Sequence, residues 1–175
     1  AVFAAHVERM FYSNAIFSLQ VFAMKAAHGR VVSLHYTLTD DLGVQIDSSH
    51  GREPFIYLHG FGNIIRGLEN ALEGCEAGHR STIQIAPADG YGEYDPQAVF
   101  NAPREKFPPQ EDIQVGMRIH GQSDQGLLEF TVVNVSAQAI TLDANHPLAG
   151  KNLHFAVDVL EVRDATAQEL AHGHV

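Results

Sequence analysis

The residues best equipped for chemistry in this chain are aromatic, aliphatic and hydroxyl-bearing rather than nucleophilic. Between His35 and Tyr91 they run His35-Tyr36-Thr37, Ile46-Asp47-Ser48-Ser49, Pro54-Phe55, Ile64-Ile65-Arg66-Gly67-Leu68-Glu69 and Tyr91-Gly92. Far downstream, Leu153-His154-Phe155-Ala156-Val157-Asp158-Val159 completes the set. Together they suit the lining of one concave, dry pocket. No member is a strong nucleophile, and no two have metal-ligand spacing. The chemistry is thereby limited to what an apolar pocket catalyses without a covalent bond.

Other chemistries find little support. Gly60-Phe61-Gly62 and Gly67 lie before and within an apparent helix, but their spacing does not fit a dinucleotide fingerprint. No serine sits in an elbow motif, and no His–Glu pair matches a metallohydrolase. Of the eleven histidines, His28, His50 and His79 are isolated and read as polar surface or loop residues. His35 and His154 fall in strand-like runs and project away from the pocket face. A net charge of −10 excludes a nucleic-acid footprint, and the scattered Lys and Arg make no polybasic membrane patch. The one cysteine, Cys75, rules out an intramolecular disulfide, suits a reducing cytoplasm and reads as a small buried apolar residue.

The elements that must position these residues follow from hydropathy. With 175 residues and 45% hydrophobic content, the chain has room for one or two small globular domains. Residues 31–39 alternate, with Val32, Leu34, Tyr36 and Leu38 on one face, as in a half-buried strand. A turn at Asp40-Asp41-Leu42-Gly43 leads to a return strand over 44–47, and 55–58 is a short β-prone run. Asn63 suits the N-cap of a helix over 64–73, with Ile64, Ile65, Leu68, Ala71 and Leu72 on its apolar face and Gly74 at its end. Residues 81–85 alternate again before Pro87-Ala88-Asp89-Gly90 breaks the run.

From 93 to 146 the composition changes. Prolines at 96, 103, 108 and 109 predict loop and short turns first, then strands over 114–120, 127–135 and 139–143. Ser123-Asp124-Gln125-Gly126 suits a hairpin turn between the first two. The segment is too long for a structureless loop and reads as an inserted β-rich domain. Residues 153–161 resume alternation and rejoin the first sheet, and Thr166 with Glu169 makes a capping-box pair for a short helix ending near His172. Residues 1–23 are apolar but interrupted by Glu8, Arg9, Ser13, Asn14 and Gln20, so they fit neither a membrane span nor a secretory signal. They read as an extension outside the fold, or as a helix packing on the protein or a partner.

In order and identity, the quoted segments resemble the FKBP-type peptidyl-prolyl isomerases. The Ile-Asp-Ser-Ser and Ile-Arg-Gly-Leu-Glu segments carry most of the likeness. Met24-Lys25 and the long insertion after Tyr91 resemble the two-domain SlyD subgroup of that family. The resemblance implies an α+β, mostly β fold: an FKBP-like antiparallel sheet wrapped on a short helix, with a small β-rich domain inserted in the flap. It divides the chain into an extension (1–23), a discontinuous isomerase domain (24–92 and 147–165), an inserted chaperone domain (93–146) and a C-terminal helix and tail (166–175).

It also implies roles. Tyr36, Phe55, Ile64, Ile65, Tyr91 and Phe155 would form the walls, with Leu68 beneath the substrate proline. Many family members carry tryptophan at that floor position, so Leu68 implies a shallower pocket and a poorer fit for macrolide inhibitors. Tyr91 would donate its hydroxyl to a substrate carbonyl, Ile65 would offer its backbone N–H, and Asp47 would sit at the rim bonded to Tyr36. Substrates would be unfolded or partly folded proteins and proline-containing peptides, with no nucleic acid or membrane partner and no required cofactor. His172 and His174 resemble the start of a histidine-rich tail that binds nickel or zinc, although two imidazoles are only a partial ligand set. The alternative function is a holdase chaperone or divalent-metal-handling protein with a weak or vestigial isomerase site.

Overall fold

A computed structural model describes residues 23–123 and 126–175. The first sheet is antiparallel and built from β1 (Arg30–Thr39), β2 (Gln45–Ser48), β3 (Phe55–Leu58), β4 (Arg80–Ile85) and β9 (Leu153–Asp164). Its order is β2-β1-β9-β4, and β3 pairs with the same side of β1 as β2, further along. The short helix α1 (Arg66–Leu72) packs Leu68 and Leu72 into a core with Val32, Leu34, Leu38, Tyr57, Ile85 and Phe155.

The alternation in β9 sets which side chains reach that core. Leu153, Phe155, Val157 and Val159 are buried in phase, and the next buried residue is Val162. The shift comes from a bulge: Leu34 pairs with Val159 and Ser33 with Glu161, so Leu160 is left opposite no residue and faces solvent.

The second sheet follows the order β5-β8-β7-β6, from β5 (Val99–Pro103), β6 (Arg118–Ser123), β7 (Gly126–Val135) and β8 (Ala139–Asp143). It has its own core of Ile113, Phe130, Val132, Ile140 and Leu142, and shares no buried residue with the first cluster. Each sheet thus has its own hydrophobic centre among the described residues. α2 (Ala167–His172) closes the chain with the capping box of Thr166 and Glu169 and a left-handed Gly173.

Five local expectations need correction or restriction. Residues 99–103, expected as loop, form β5. It is an edge strand, where Pro103 at its end leaves no ladder bond unmade that the sheet needs. Gln114 to Met117 is a turn, closed by the Met117 N–H on the Gln114 carbonyl with Gly116 at φ 91°, so the strand begins only at Arg118. Helix α1 begins at Arg66, and Asn63 is not its cap. The Asn63 side chain accepts from the Leu58 N–H (3.1 Å) and donates to the Gly173 carbonyl (2.8 Å), so tertiary partners outcompete the cap. The hairpin expected at 123–126 has Asp124 and Gln125 outside the described residues, although Ser123 and Gly126 pair. The extension expected over 1–23 likewise lies outside them, apart from an exposed Ala23.

Candidate active site

On the concave side of the first sheet lies a pocket of about 430 Å³, within the range of small-ligand sites. Its lining brings together all eight residues singled out in the sequence: Tyr36, Asp47, Phe55, Ile64, Ile65, Leu68, Tyr91 and Phe155. Leu34, Leu38, Gly62 and Asn63 also line it and were not anticipated. Leu34 and Leu38 flank Tyr36 on its own face of β1, a signal present in the alternation but read only as core.

Burial divides floor from rim. Leu68 and Phe155 are each 5% exposed, whereas Phe55 and Tyr91 are 39% and 37% exposed. The floor needs α1 close to β4, and Gly67 permits it. A Cβ there would lie 2.7 Å from Ile85 Cγ2 and 3.1 Å from Asp89 Cβ. Arg66 adds two hydrogen bonds to Asp89 Oδ1, at 2.5 and 3.1 Å. Ile64 and Ile65 precede the helix, Ile65 with the non-helical angles φ −58° and ψ 140°, which is why they can line the pocket rather than a helix face. Tyr36 meets Phe55 edge-on at 6.1 Å and Phe155 at 6.0 Å, a contiguous aromatic wall.

The polar side chains of the lining are few, and all but one are already committed. Tyr36 donates its hydroxyl to Asp47 Oδ2 at 2.5 Å. Asp47 Oδ1 accepts from the Ser48 N–H (2.8 Å) and from Arg52 (2.7 Å), and Arg52 also reaches the Ser48 carbonyl. These bonds, that from Tyr36 foremost, hold the Asp47 carboxyl below the usual carboxylate range. Burial and then Asp47 push Tyr36 up to about 12. Near neutral pH neither group exchanges a proton. The exception is the Tyr91 hydroxyl, and the backbone N–H groups of Gly62, Asn63, Ile64 and Ile65 likewise have no partner among the described residues.

Behind the wall, Phe55 stacks on Tyr57, whose hydroxyl meets His59 Nδ1 at 3.0 Å, and His59 Nε2 meets Glu73 Oε2 at 2.7 Å. His59, 2% exposed, is a satisfied buried histidine that nothing in its sequence context signalled. His35 bonds Ser49 and His154 bonds Asp41, and neither lines the pocket. Cys75 is partly buried, and burial raises its thiol, which disfavours reactivity. At the C-terminus the His172 and His174 rings lie 5.8 Å apart. No cluster of three or more metal-ligating side chains occurs among the described residues, so this pair does not by itself fit a resident metal.

Comparison with known proteins agrees with this geometry. Residues 23–160, which include every lining residue, match the family described as FKBP-type peptidyl-prolyl cis-trans isomerase. The FKBP-type peptidyl-prolyl cis-trans isomerase SlyD of Escherichia coli (strain K12) is 43% identical over 152 residues, 87% of this chain and 78% of that protein. The SlyD of Vibrio cholerae is also 43% identical, across 87% of this chain and 76% of its own. That of Haemophilus influenzae is 38% identical, across 87% and 80%. This chain therefore belongs to the FKBP-type peptidyl-prolyl cis-trans isomerases, within their SlyD group.

Proposed function

We propose that the protein rotates X–Pro bonds in unfolded or partly folded chains and in proline-containing peptides, and that its inserted sheet holds those chains near the pocket. The observation that carries the first half is an apolar pocket in which, among the described residues, the one uncommitted side-chain donor is the Tyr91 hydroxyl, with the Ile65 N–H among the unpartnered backbone donors beside it.

The X–Pro bond is planar by resonance, and rotating it crosses a barrier of about 18–20 kcal/mol. Uncatalysed exchange takes roughly tens to hundreds of seconds, slow enough to limit folding. At the twisted transition state amide conjugation is lost, so the carbonyl needs less solvation than in the ground state. A dry wall of Tyr36, Phe55 and Phe155 over Leu68 binds that state better than water does, which is catalysis by differential binding. Tyr91 and Ile65 hold flanking carbonyls in a bend. Asp47, locked by Tyr36 and Arg52, supplies a fixed negative charge at the rim and no proton. The rotation requires no cofactor.

The second half rests on the inserted sheet. β6 is an edge strand paired only with β7, and Leu127, Leu128, Val115 and Met117 are exposed on or beside it. An open edge flanked by apolar side chains suits strand addition by an extended chain. The net charge of −10 disfavours nucleic acid as a partner. No helix among the described residues is long and apolar enough to cross a membrane. A lone, partly buried cysteine suits a reducing cytoplasm.

A protease-coupled assay on a proline tetrapeptide, run beside the refolding of a proline-limited protein, tests the proposal. Acceleration of both is expected. Binding of unfolded protein without acceleration of either reaction would favour the holdase alternative.

A further inference from the structure

Tyr91 owes its place to a residue on the far side of the insertion. It follows a 3₁₀ turn (Pro87–Asp89) and sits between Gly90 and Gly92, the latter at φ 86°, so neither sequence neighbour braces its ring. His146 does. The two rings lie parallel, 4.1 Å between centroids and 5° between planes. This is the tightest aromatic stack among the described residues.

His146 is itself held from both sides. Asn145 accepts from the Asp95 N–H and donates to the Asp95 carbonyl, both at 2.9 Å, which ties the two ends of the insertion together. Its side chain and backbone N–H also donate to Asp143 Oδ1, each at 2.8 Å. Past His146, the Gly150 N–H donates to the Gly92 carbonyl at 2.8 Å, fastening the loop to the turn that carries Tyr91. Gly150, at φ 71°, lies where a Cβ would be 2.9 Å from Tyr94 Cβ.

The ring's own hydrogen bond sets its state. His146 Nδ1 accepts from the Leu148 N–H at 3.1 Å, which requires that nitrogen to be unprotonated. Burial first, then Arg118, pushes His146 below the ordinary histidine value, against an opposing pull from Glu129. Arg118 and Glu129 form a cross-strand ion pair at 3.0 Å on β6 and β7. A neutral, oriented imidazole stacked on a phenol is a support for the phenol's position, not a proton donor to it.

We propose that His146 is a positioning residue for Tyr91: by stacking on the ring it holds the hydroxyl where the substrate carbonyl arrives, and so ties catalysis to the neck of the inserted sheet. The proposal rests on the reading of Tyr91 as the donor to substrate. A double-mutant cycle on the full chain tests it, with Tyr91→Phe, His146→Ala and the double variant assayed for kcat/KM on a proline tetrapeptide. Tyr91→Phe should lower kcat/KM by about two- to tenfold, the worth of one neutral hydrogen bond. His146→Ala should cost a similar factor, and the double variant no more than the worse single one. His146→Phe, which keeps a flat ring on Tyr91, should recover most of the loss. Losses that multiply in the double variant would overturn the proposal, because a general folding defect does not need the Tyr91 hydroxyl. Full activity in His146→Ala beside a weakened Tyr91→Phe would overturn it too. Full activity in Tyr91→Phe would instead sink the reading of the hydroxyl, and the proposal with it.

Discussion

Tyr36 and Asp47 face each other across β1 and β2 with 2.5 Å between hydroxyl and carboxylate, and each holds the other in one protonation state. Asp47 is kept ionised and Tyr36 protonated, so the pocket has a fixed dipole at its rim throughout the physiological range. Rotation about a peptide bond needs such constancy, since no proton is transferred.

The sign of the pH dependence follows. Asp47 is depressed in the folded state, so its contribution is complete above the ordinary aspartate value of about 3.9. That contribution is lost only as pH falls through the lower folded value. Activity should accordingly be flat on this account from pH 8 down to about 5. In Tyr36→Phe the largest cause of the depression is gone, so the Asp47 midpoint, followed by carboxyl NMR, should move upward. An unmoved midpoint would show that Arg52 and the Ser48 N–H alone hold the carboxylate.

Phe155 should matter more than Tyr91. Truncating a buried aromatic costs about 3–5 kcal/mol of stability, which a domain with about 5–15 kcal/mol can survive. Phe155→Ala also opens the apolar wall to water beside the twisting bond. Tyr91→Phe removes one neutral hydrogen bond, about 0.5–1.5 kcal/mol. Peptide turnover in the folded fraction should therefore fall further in Phe155→Ala than in Tyr91→Phe. A folded Phe155→Ala variant with full turnover would mean the proline binds elsewhere.

Much of the fold and of the pocket lining is legible in the sequence. The period-two burial of β9 from Leu153 to Val159 follows from one face being core and the other more exposed, and Thr166 with Glu169 is a local rule with nothing to oppose it. Misreadings arose where tertiary partners overrode local preference. Asn63 has the chemistry of a cap but is spent on Leu58 and Gly173, the latter 110 residues away. β5 is short, ends in proline and is stabilised by pairing with β8 rather than by its own pattern. The Tyr91–His146 stack depends on how the neck closes, and no spacing in the sequence encodes that.

The terminal histidines should bind metal only weakly. Two imidazoles 5.8 Å apart fill at most half of a tetrahedral set. Titration calorimetry with nickel on the wild-type chain and on a His172→Ala/His174→Ala variant should show a weak heat that the variant lacks. Equal affinity in both would remove the pair from any metal role.

The insertion can be separated from the pocket in two ways, one that keeps His146 and its neck and one that removes them. The Gly92 carbonyl and Gly150 N–H meet at 2.8 Å, and the two hydrophobic cores share no residue, so a short glycine turn can replace the insertion without opening the first sheet. Replacing residues 96–143 keeps Asp95, Asn145 and His146, and the shortened protein should turn over proline peptides almost as well as the full chain. Replacing 93–146 removes His146 as well, and peptide turnover should drop by about the His146→Ala factor. Both forms should lose most acceleration of proline-limited refolding, because a long client is no longer held near the pocket at high effective concentration. Loss of peptide turnover in a well-folded 96–143 deletion would make the inserted sheet part of the active site. Undiminished refolding activity in either form would remove its role in holding clients.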